Sequence, residues 1–232
     1  MKINKSLFAG SYQFSVLHRM KSVAVIGAGS FGIAVSTLLA HNVDVLVVSR
    51  NSETLKKINI DHRMFNVDLS PRIQATQSLE EAITSCKLIF PIVPSDDFPK
   101  MIREASRFLS PAHVLIHGTK GFVLKDIAEN DVDQVELRRE KVLTMGELIR
   151  QETTVLRMGC LTGPNLAKEI LDGQSTATVI ASEFDEVIHL GTEVLSSNKF
   201  FVFGSNDMKG AQIAGALKNI IAIGSGILDG LG

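Results

Sequence analysis

Gly27-Ala28-Gly29-Ser30-Phe31-Gly32 carries the spacing G-x-G-x-x-G, and each glycine in that spacing has a physical use. The first permits a tight turn, the second lets the backbone approach a pyrophosphate, and the third allows a helix and a strand to pack closely. N–H groups left unpaired at the helix start then bind the anion, so Ser30 and Phe31 join the three glycines as candidate dinucleotide contacts. The second strand of such a site normally ends in a carboxylate that takes the ribose hydroxyls of NAD, but here Ser49, Arg50 and Asn51 stand there. A guanidinium grips a ribose 2′-phosphate through two parallel hydrogen bonds, which favours NADP or tolerance of both cofactors. The competing reading makes Arg50 a surface charge beside a helix cap at Asn51 or Ser52.

Two lysines and a glycine-proline turn extend the list. Gly118-Thr119-Lys120-Gly121 places a lysine between glycines where a strand ends, the edge at which open α/β sheets bind ligands. Thr162-Gly163-Pro164-Asn165 sits at another strand end and opens a helix suited to an anion or a carbonyl. Lys218 lies inside an apolar helical stretch, so its ammonium either snorkels outward or faces a cleft. Pro94-Ser95 either borders the cofactor crevice or caps a helix at Ser95. His113 and His117 are four apart, but on a strand and without a cysteine or carboxylate cluster. Packing or hydrogen bonding suits them better than metal binding, and no metal site is expected.

These residues need elements to position them, and the hydropathy pattern supplies a βαβ alternation. SVAVI at 22–26 reads as a strand buried on both faces, SFGIAVSTLLAH at 30–41 as a helix, and DVLVVS at 44–49 as a second buried strand. Helix 78–84, strand 87–93, helix 96–109 and strand 113–117 continue the alternation. The stretch 124–141 carries ten charges in eighteen positions and reads as a solvated loop or a frayed helix. Helix 144–152, strand 156–162, helix 165–172, strand 175–182, helix 185–196 and strand 200–204 then extend the same sheet. The predicted fold is α/β, a doubly wound Rossmann-type and mostly parallel sheet, followed by the first helix of an incomplete all-helical domain. The boundaries are an N-terminal extension at 1–20, a nucleotide-binding domain at 21–205, and the truncated start of a helical domain at 206–232.

Composition removes several alternatives. The chain has 232 residues, 45% hydrophobic and 21% charged, with 24 Lys and Arg against 25 Asp and Glu. A net charge of -1 gives no footprint for nucleic acid, and the hydrophobic share argues against disorder. Cys86 and Cys160 are too few for a disulfide framework and read as core residues of a cytoplasmic protein. No apolar run is expected to reach the roughly 18 residues of a membrane span.

Taken together, GAGSFG at 27–32, PS at 94–95, GTKGF at 118–122, TMGELI at 144–149, GPNLAKE at 163–169 and GALKNIIAIGSGILDGLG at 215–232 resemble the NAD(P)-dependent sn-glycerol-3-phosphate dehydrogenases. The resemblance runs from Lys21 to Gly232 in the family's order. It implies that Lys218 is the catalytic proton acceptor and also touches substrate, that Lys120 contacts both cofactor and substrate, and that Gly163 and Asn165 lie against the substrate. It also implies cofactor contacts from Ser30, Phe31, Arg50 and Ala167. The family usually has Ser at the position of Asn165, whose amide can still donate a hydrogen bond. The two segments that grip the substrate phosphate in family members, Gly-Leu-Gly-Asp-Leu and Ser-Arg-Asn, do not occur in this sequence.

The implied reaction interconverts dihydroxyacetone phosphate and sn-glycerol 3-phosphate by hydride transfer with NADH or NADPH, feeding phospholipid synthesis. Reduction needs a lysine ammonium as acid, and oxidation needs the neutral amine as base. Two other readings stand beside it: a ketopantoate-reductase-like enzyme, and a dinucleotide-binding module without catalysis. The oligomeric state is left between a monomer and a homodimer.

Overall fold

The computed structural model describes residues 22–125, 136 and 138–232. The extension expected at 1–20 and most of the charged stretch therefore lie outside the described residues. Strand β1 (Ser22–Ile26) leads through helix α1 (Ser30–Leu39) to β2 (Asp44–Val48), α2 (Ser52–Asn59), the short strands β3 (Arg63–Met64) and β4 (Val67–Asp68), and β5 (Ile73–Thr76). Next come α3 (Leu79–Ser85), β6 (Leu88–Pro91), α4 (Phe98–Ala105), β7 (Val114–His117), β8 (Phe122–Leu124) and β9 (Val142–Thr144). The chain closes with α5 (Met145–Glu152), β10 (Arg157–Thr162), α6 (Ala167–Leu171), β11 (Thr176–Ser182), α7 (Asp185–Leu195), β12 (Phe200–Ser205) and α8 (Met208–Leu231).

Eight strands form one sheet in the order β12-β11-β10-β7-β6-β1-β2-β5. Neighbours run parallel except at β10–β11, where Cys160 faces Ala181 in an antiparallel register. The uninterrupted apolar runs have a direct cause. Alternate residues of each central strand enter two different cores: Val23 and Val25 face one, with Ile33, Val35 and Leu39 of α1, while Ala24 and Ile26 face the other, with Phe98 and Ile102 of α4. A strand covered on both faces has no solvated side to make polar. Each such valine or isoleucine contributes roughly 1.5–3 kcal/mol of burial.

From β1 the chain builds outward to β2 and β5, then crosses back to lay β6 on the other side of β1. The reversal opens a crevice beyond the carboxyl ends of β1 and β6. The segment between Arg50 and Gln77, without an assignment in the sequence reading, supplies the edge of this half. Asn51 caps α2 by accepting from Glu53 and Thr54, and Asn59 clamps Ala75 of β5 through both its amide groups. Between them a hairpin turns at Phe65 and Asn66, both with positive φ.

Three expectations need correction. The stretch 124–141 lies inside a hairpin: Phe122–Leu124 pairs antiparallel with Val142–Thr144 and Arg139–Lys141 forms one 3-10 turn, while residues 126–135 and 137 lie outside the described residues. Alternating charges and β-branched residues conceal such a hairpin from a helical count. Ser95 is not a helix cap; α4 is capped at Asp97, and the Ser95 hydroxyl donates to Asp96. Finally, α8 is 24 residues long with mean hydropathy 1.4 over its most apolar window, enough by length and composition to cross a membrane. Small glycines and alanines hid that run. Its first turns sit on the sheet through buried Met208 and Gly215, whereas Ile220, Ile221, Ile223, Ile227, Leu228 and Leu231 are exposed.

Candidate functional site

Gly27 follows β1 directly with a φ of 119°, and a Cβ there would lie 2.0 Å from the Ile92 carbonyl oxygen. Only glycine fits. Gly32 is constrained from within, since a Cβ would lie 2.0 Å from the Gly27 oxygen, which packs α1 against its own turn. Gly29 is the opposite case, with no atom within 4 Å of where its Cβ would stand. The turn is closed behind and open in front, so a pyrophosphate can reach the backbone. Gly29 is also the N-cap of α1 and no side chain caps the helix, leaving its first N–H groups for an anion. The residues present therefore fit a dinucleotide.

The loop after β7 closes over this turn. The Gly118 N–H donates to the Pro91 oxygen at 2.9 Å and the Thr119 hydroxyl to the Val93 oxygen at 2.7 Å, tying the loop to the end of β6. Held in this way, Lys120 Nζ lies 4.7 Å from the centre of the Phe31 ring and donates to the Gly118 oxygen. Two residues named separately from the sequence thus form one contact across the crevice. Burial, reinforced by the positive charge of Lys218, pushes the Lys120 ammonium down to about 8.

Helix α8 approaches from the β10 side. A Cβ on buried Gly215 would lie 2.6 Å from Thr162 Oγ1 and 4.0 Å from Lys120 Cγ, so the helix backbone packs closely on the Thr162 strand end with Lys120 beside it. Lys218, one turn further, is half-buried and donates to Asn219 Oδ1 at 3.0 Å. The effect of its charge on Lys120 is the link between the two lysines.

The glycine-proline turn is less open than its sequence suggests. Asn165 is 8% exposed, and its amide nitrogen donates to the Ala177 oxygen at 2.7 Å and to Thr176 Oγ1 at 3.3 Å. Its Oδ1 is buried without a partner. The donor named from the sequence is engaged with β11, and what remains is an acceptor. Gly163 is pressed against the same group, since a Cβ there would meet Asn165 Oδ1 at 3.0 Å. Ala167 begins α6, which packs on α1, and joins Ala28 and Phe31 at the edge of one core. Arg50 is exposed at the end of β2, where Gln77 donates to its carbonyl oxygen.

Two polar residues border the site beyond its candidates: Gln212, unnamed from the sequence, and His117, expected there only to pack or hydrogen-bond. His117 is 1% exposed, with Nδ1 3.2 Å from the Thr119 oxygen and Nε2 3.1 Å from Gln212 Oε1. Burial lowers its pKa to about 4. Gln212 also accepts the Gly146 N–H at 2.8 Å. A lone glutamine in an apolar helix was the available signal. His113 is held separately by Ser110 and the Ile83 oxygen, and no metal-ligating cluster gathers among the described residues. Both cysteines are buried, and Cys160 is pushed up to about 12 by that burial, so it remains a thiol.

Comparison with known proteins gives the arrangement a family. A relative in Alcanivorax borkumensis, a glycerol-3-phosphate dehydrogenase of the NAD(P)+ type, is 34% identical over 218 residues, which is 91% of this chain and 59% of the relative. The chain thus spans about three fifths of that relative's length. The crystal structure of glycerol-3-phosphate dehydrogenase from Coxiella burnetii superposes with a TM-score of 0.76 at 26% identity, covering 91% of this chain and 62% of that one. An enzyme structure from Dunaliella salina, at 22% identity and a TM-score of 0.79, shares the fold over 92% of this chain and 38% of its own. The profile of the NAD-dependent glycerol-3-phosphate dehydrogenase C-terminus matches residues 207–232, and that of the N-terminus matches residues 22–188. Because the latter alone runs from β1 into α7, the chain belongs to the NAD-dependent glycerol-3-phosphate dehydrogenase family.

Proposed function

We propose that this chain interconverts dihydroxyacetone phosphate and sn-glycerol 3-phosphate, with the glycine turn holding NADPH or NADH and Lys218 handling the proton on the substrate C2 oxygen. One observation carries the reading: Lys120 lies over the Phe31 ring of the glycine turn, and its Cγ stands 4.0 Å from where a Cβ on Gly215 would be, so one side chain lies between the nucleotide cradle and the helix bearing Lys218. The nicotinamide, when bound, supplies or takes the hydride. The protein's part is binding, orientation and proton transfer.

In this reading the backbone at 27–32 holds the pyrophosphate, Ser30, Phe31 and Ala167 line the cofactor, and the exposed Arg50 favours a 2′-phosphate. Lys120 offers positive charge to the anionic substrate. Lys218 donates the proton during reduction as an ammonium and takes it during oxidation as a neutral amine. Gly163 and Asn165 flank the substrate, with the free Asn165 oxygen suited to a substrate hydroxyl. Residues 206–232 act as the first helix of a helical substrate domain, in keeping with the exposed apolar face of α8. A cytoplasmic place and a supply of glycerol phosphate to phospholipids complete the proposal.

The test is NADPH oxidation with dihydroxyacetone phosphate by wild type and Lys218→Met. The expected result is a fall in kcat of ~100-fold or more with NADPH affinity unchanged, the usual scale of acid–base catalysis. Weakened NADPH binding with turnover intact would overturn the assignment.

A further inference from the structure

We infer that Gln212 is a positioning residue: it locks the axial register of α8 against the sheet, and thereby sets where Lys218 stands beside Lys120. The inference rests on the reading of Lys218 as the proton-transfer group.

The argument starts from an orphan donor. Gly146 is the second residue of α5, and the capping box of Thr144 and Glu147 leaves its N–H unpaired within the helix. Gln212 Oε1, from α8, accepts that N–H at 2.8 Å, so one helix caps another. Its Nε2 donates to the Met208 oxygen at 3.3 Å. Because the Gly146 N–H can only donate and the Met208 carbonyl can only accept, the amide has one orientation. His117 Nε2, on β7, then lies 3.1 Å from the same Oε1. Gln212 thus joins α8 to α5 and to the strand that leads into Lys120.

The rest of the seat is apolar or small. Met208 is 4% exposed and Gly215 is buried against Thr162, at four residues before and three after Gln212, the spacing of one helix face. The next positions on that face are Lys218 and Asn219, about 9 Å along the axis from Gln212. From Ile220 onward the large apolar side chains are exposed. Met208 and Gly215 resist tilting but slide easily, whereas a hydrogen-bonded amide does not. Gly146 has a matching constraint, because a Cβ there would lie 2.8 Å from Met208 Cε and 3.0 Å from Gln212 Nε2. A side chain at 146 would press on the ends of both of these side chains.

Gln212→Met keeps the volume and removes the acceptor. In the full chain, two quantities separate positioning from mere support. The first is the titration of Lys120, followed by NMR of lysine labelled at Cε, which needs no turnover. It is expected to move from about 8 upward by about one unit, as Lys218 withdraws and water enters. The second is kcat for dihydroxyacetone phosphate, expected to fall about ten- to a hundred-fold with the KM for NADPH unchanged. In a Lys218→Met background the same substitution is expected to leave kcat where it was. A folded Gln212→Met protein with unmoved Lys120 titration, or an equal loss in the Lys218→Met background, would overturn the inference. If Gln212→Met does not fold, Gln212→Ala removes the same acceptor and is read identically. A wild type that turns over nothing, together with a moved Lys120 in the variant, removes the proposed activity and leaves the register lock standing.

Discussion

The glycine turn and the seat of α8 meet in one crevice yet are built by opposite means. At 27–32 the proposed function belongs to the backbone: a Cβ on Gly32 would lie 2.0 Å from the Gly27 oxygen and one on Gly27 would lie 2.0 Å from the Ile92 oxygen, while Gly29 faces open space. At α8 the proposed function belongs to side chains, and their placement depends on partners distant in sequence, such as Gly146 for Gln212. Backbone crowding gives the turn rigidity at the cost of tolerance. The seat tolerates more, but a displacement there moves an ammonium rather than unfolding a core.

The largest expected effect tests the rigid side. Gly27→Ala puts a methyl against a backbone oxygen at an unfavourable φ, and is expected to cost about 3 kcal/mol or more in stability, read by urea unfolding. Gly29→Ala meets nothing, so its unfolding midpoint should stay near wild type while NADPH affinity, read by fluorescence titration, falls about ten-fold. Equal stability losses in the two variants would erase the distinction between a closed and an open face.

A similar-sized effect concerns His117, whose neutral ring lies between the Thr119 oxygen of the Lys120 loop and Gln212 Oε1 and donates to one of them. Its folded value of about 4 lies below the unfolded 6.5, chiefly through burial, so the unfolded chain binds the proton first. Stability is complete above pH 6.5 and is lost as pH falls toward 4, by about 3 kcal/mol from this group. Urea unfolding at pH 7 and pH 4.5 measures it. His117→Leu is expected to shrink the difference between the two conditions, and an unchanged difference would assign the acid sensitivity to other groups.

The same contrast explains what the sequence disclosed. The βαβ unit and the glycine turn were legible because their determinants are local: an apolar run, three glycines at fixed spacing and a change of period at Ser30. Lys120 was legible as a residue at a strand end, but its contact with Phe31 was not, since β7 and α1 meet only through the order of the sheet. Gln212 and His117 were invisible as a pair because 95 residues separate them. The hairpin of β8 and β9 was masked by charge, and the antiparallel entry of β11 by a helix too short to betray a change of direction. Asn165 shows the limit most clearly: its type indicated a donor, and only the fold revealed that Ala177 already takes that hydrogen.

The smallest expected effect sharpens the comparison at the side chain that touches both regions. Lys120 is charged below about 8 and loses its charge as pH rises through that value, because burial first and Lys218 second disfavour the ammonium. A phosphate monoester keeps its second ionisation near pH 6, so glycerol 3-phosphate has constant charge from pH 7 to 9. Any change in its affinity over that range belongs to the protein. Calorimetric titration of glycerol 3-phosphate, free of turnover, should therefore show binding weakening about ten-fold between pH 7 and pH 9, the scale of one charge-assisted hydrogen bond. Lys120→Gln should bind weakly at both values and show no such slope. A slope surviving in Lys120→Gln would move the responsible group to α8 and make the exposed helix, rather than the loop fastened over the glycine turn, the principal holder of the anion.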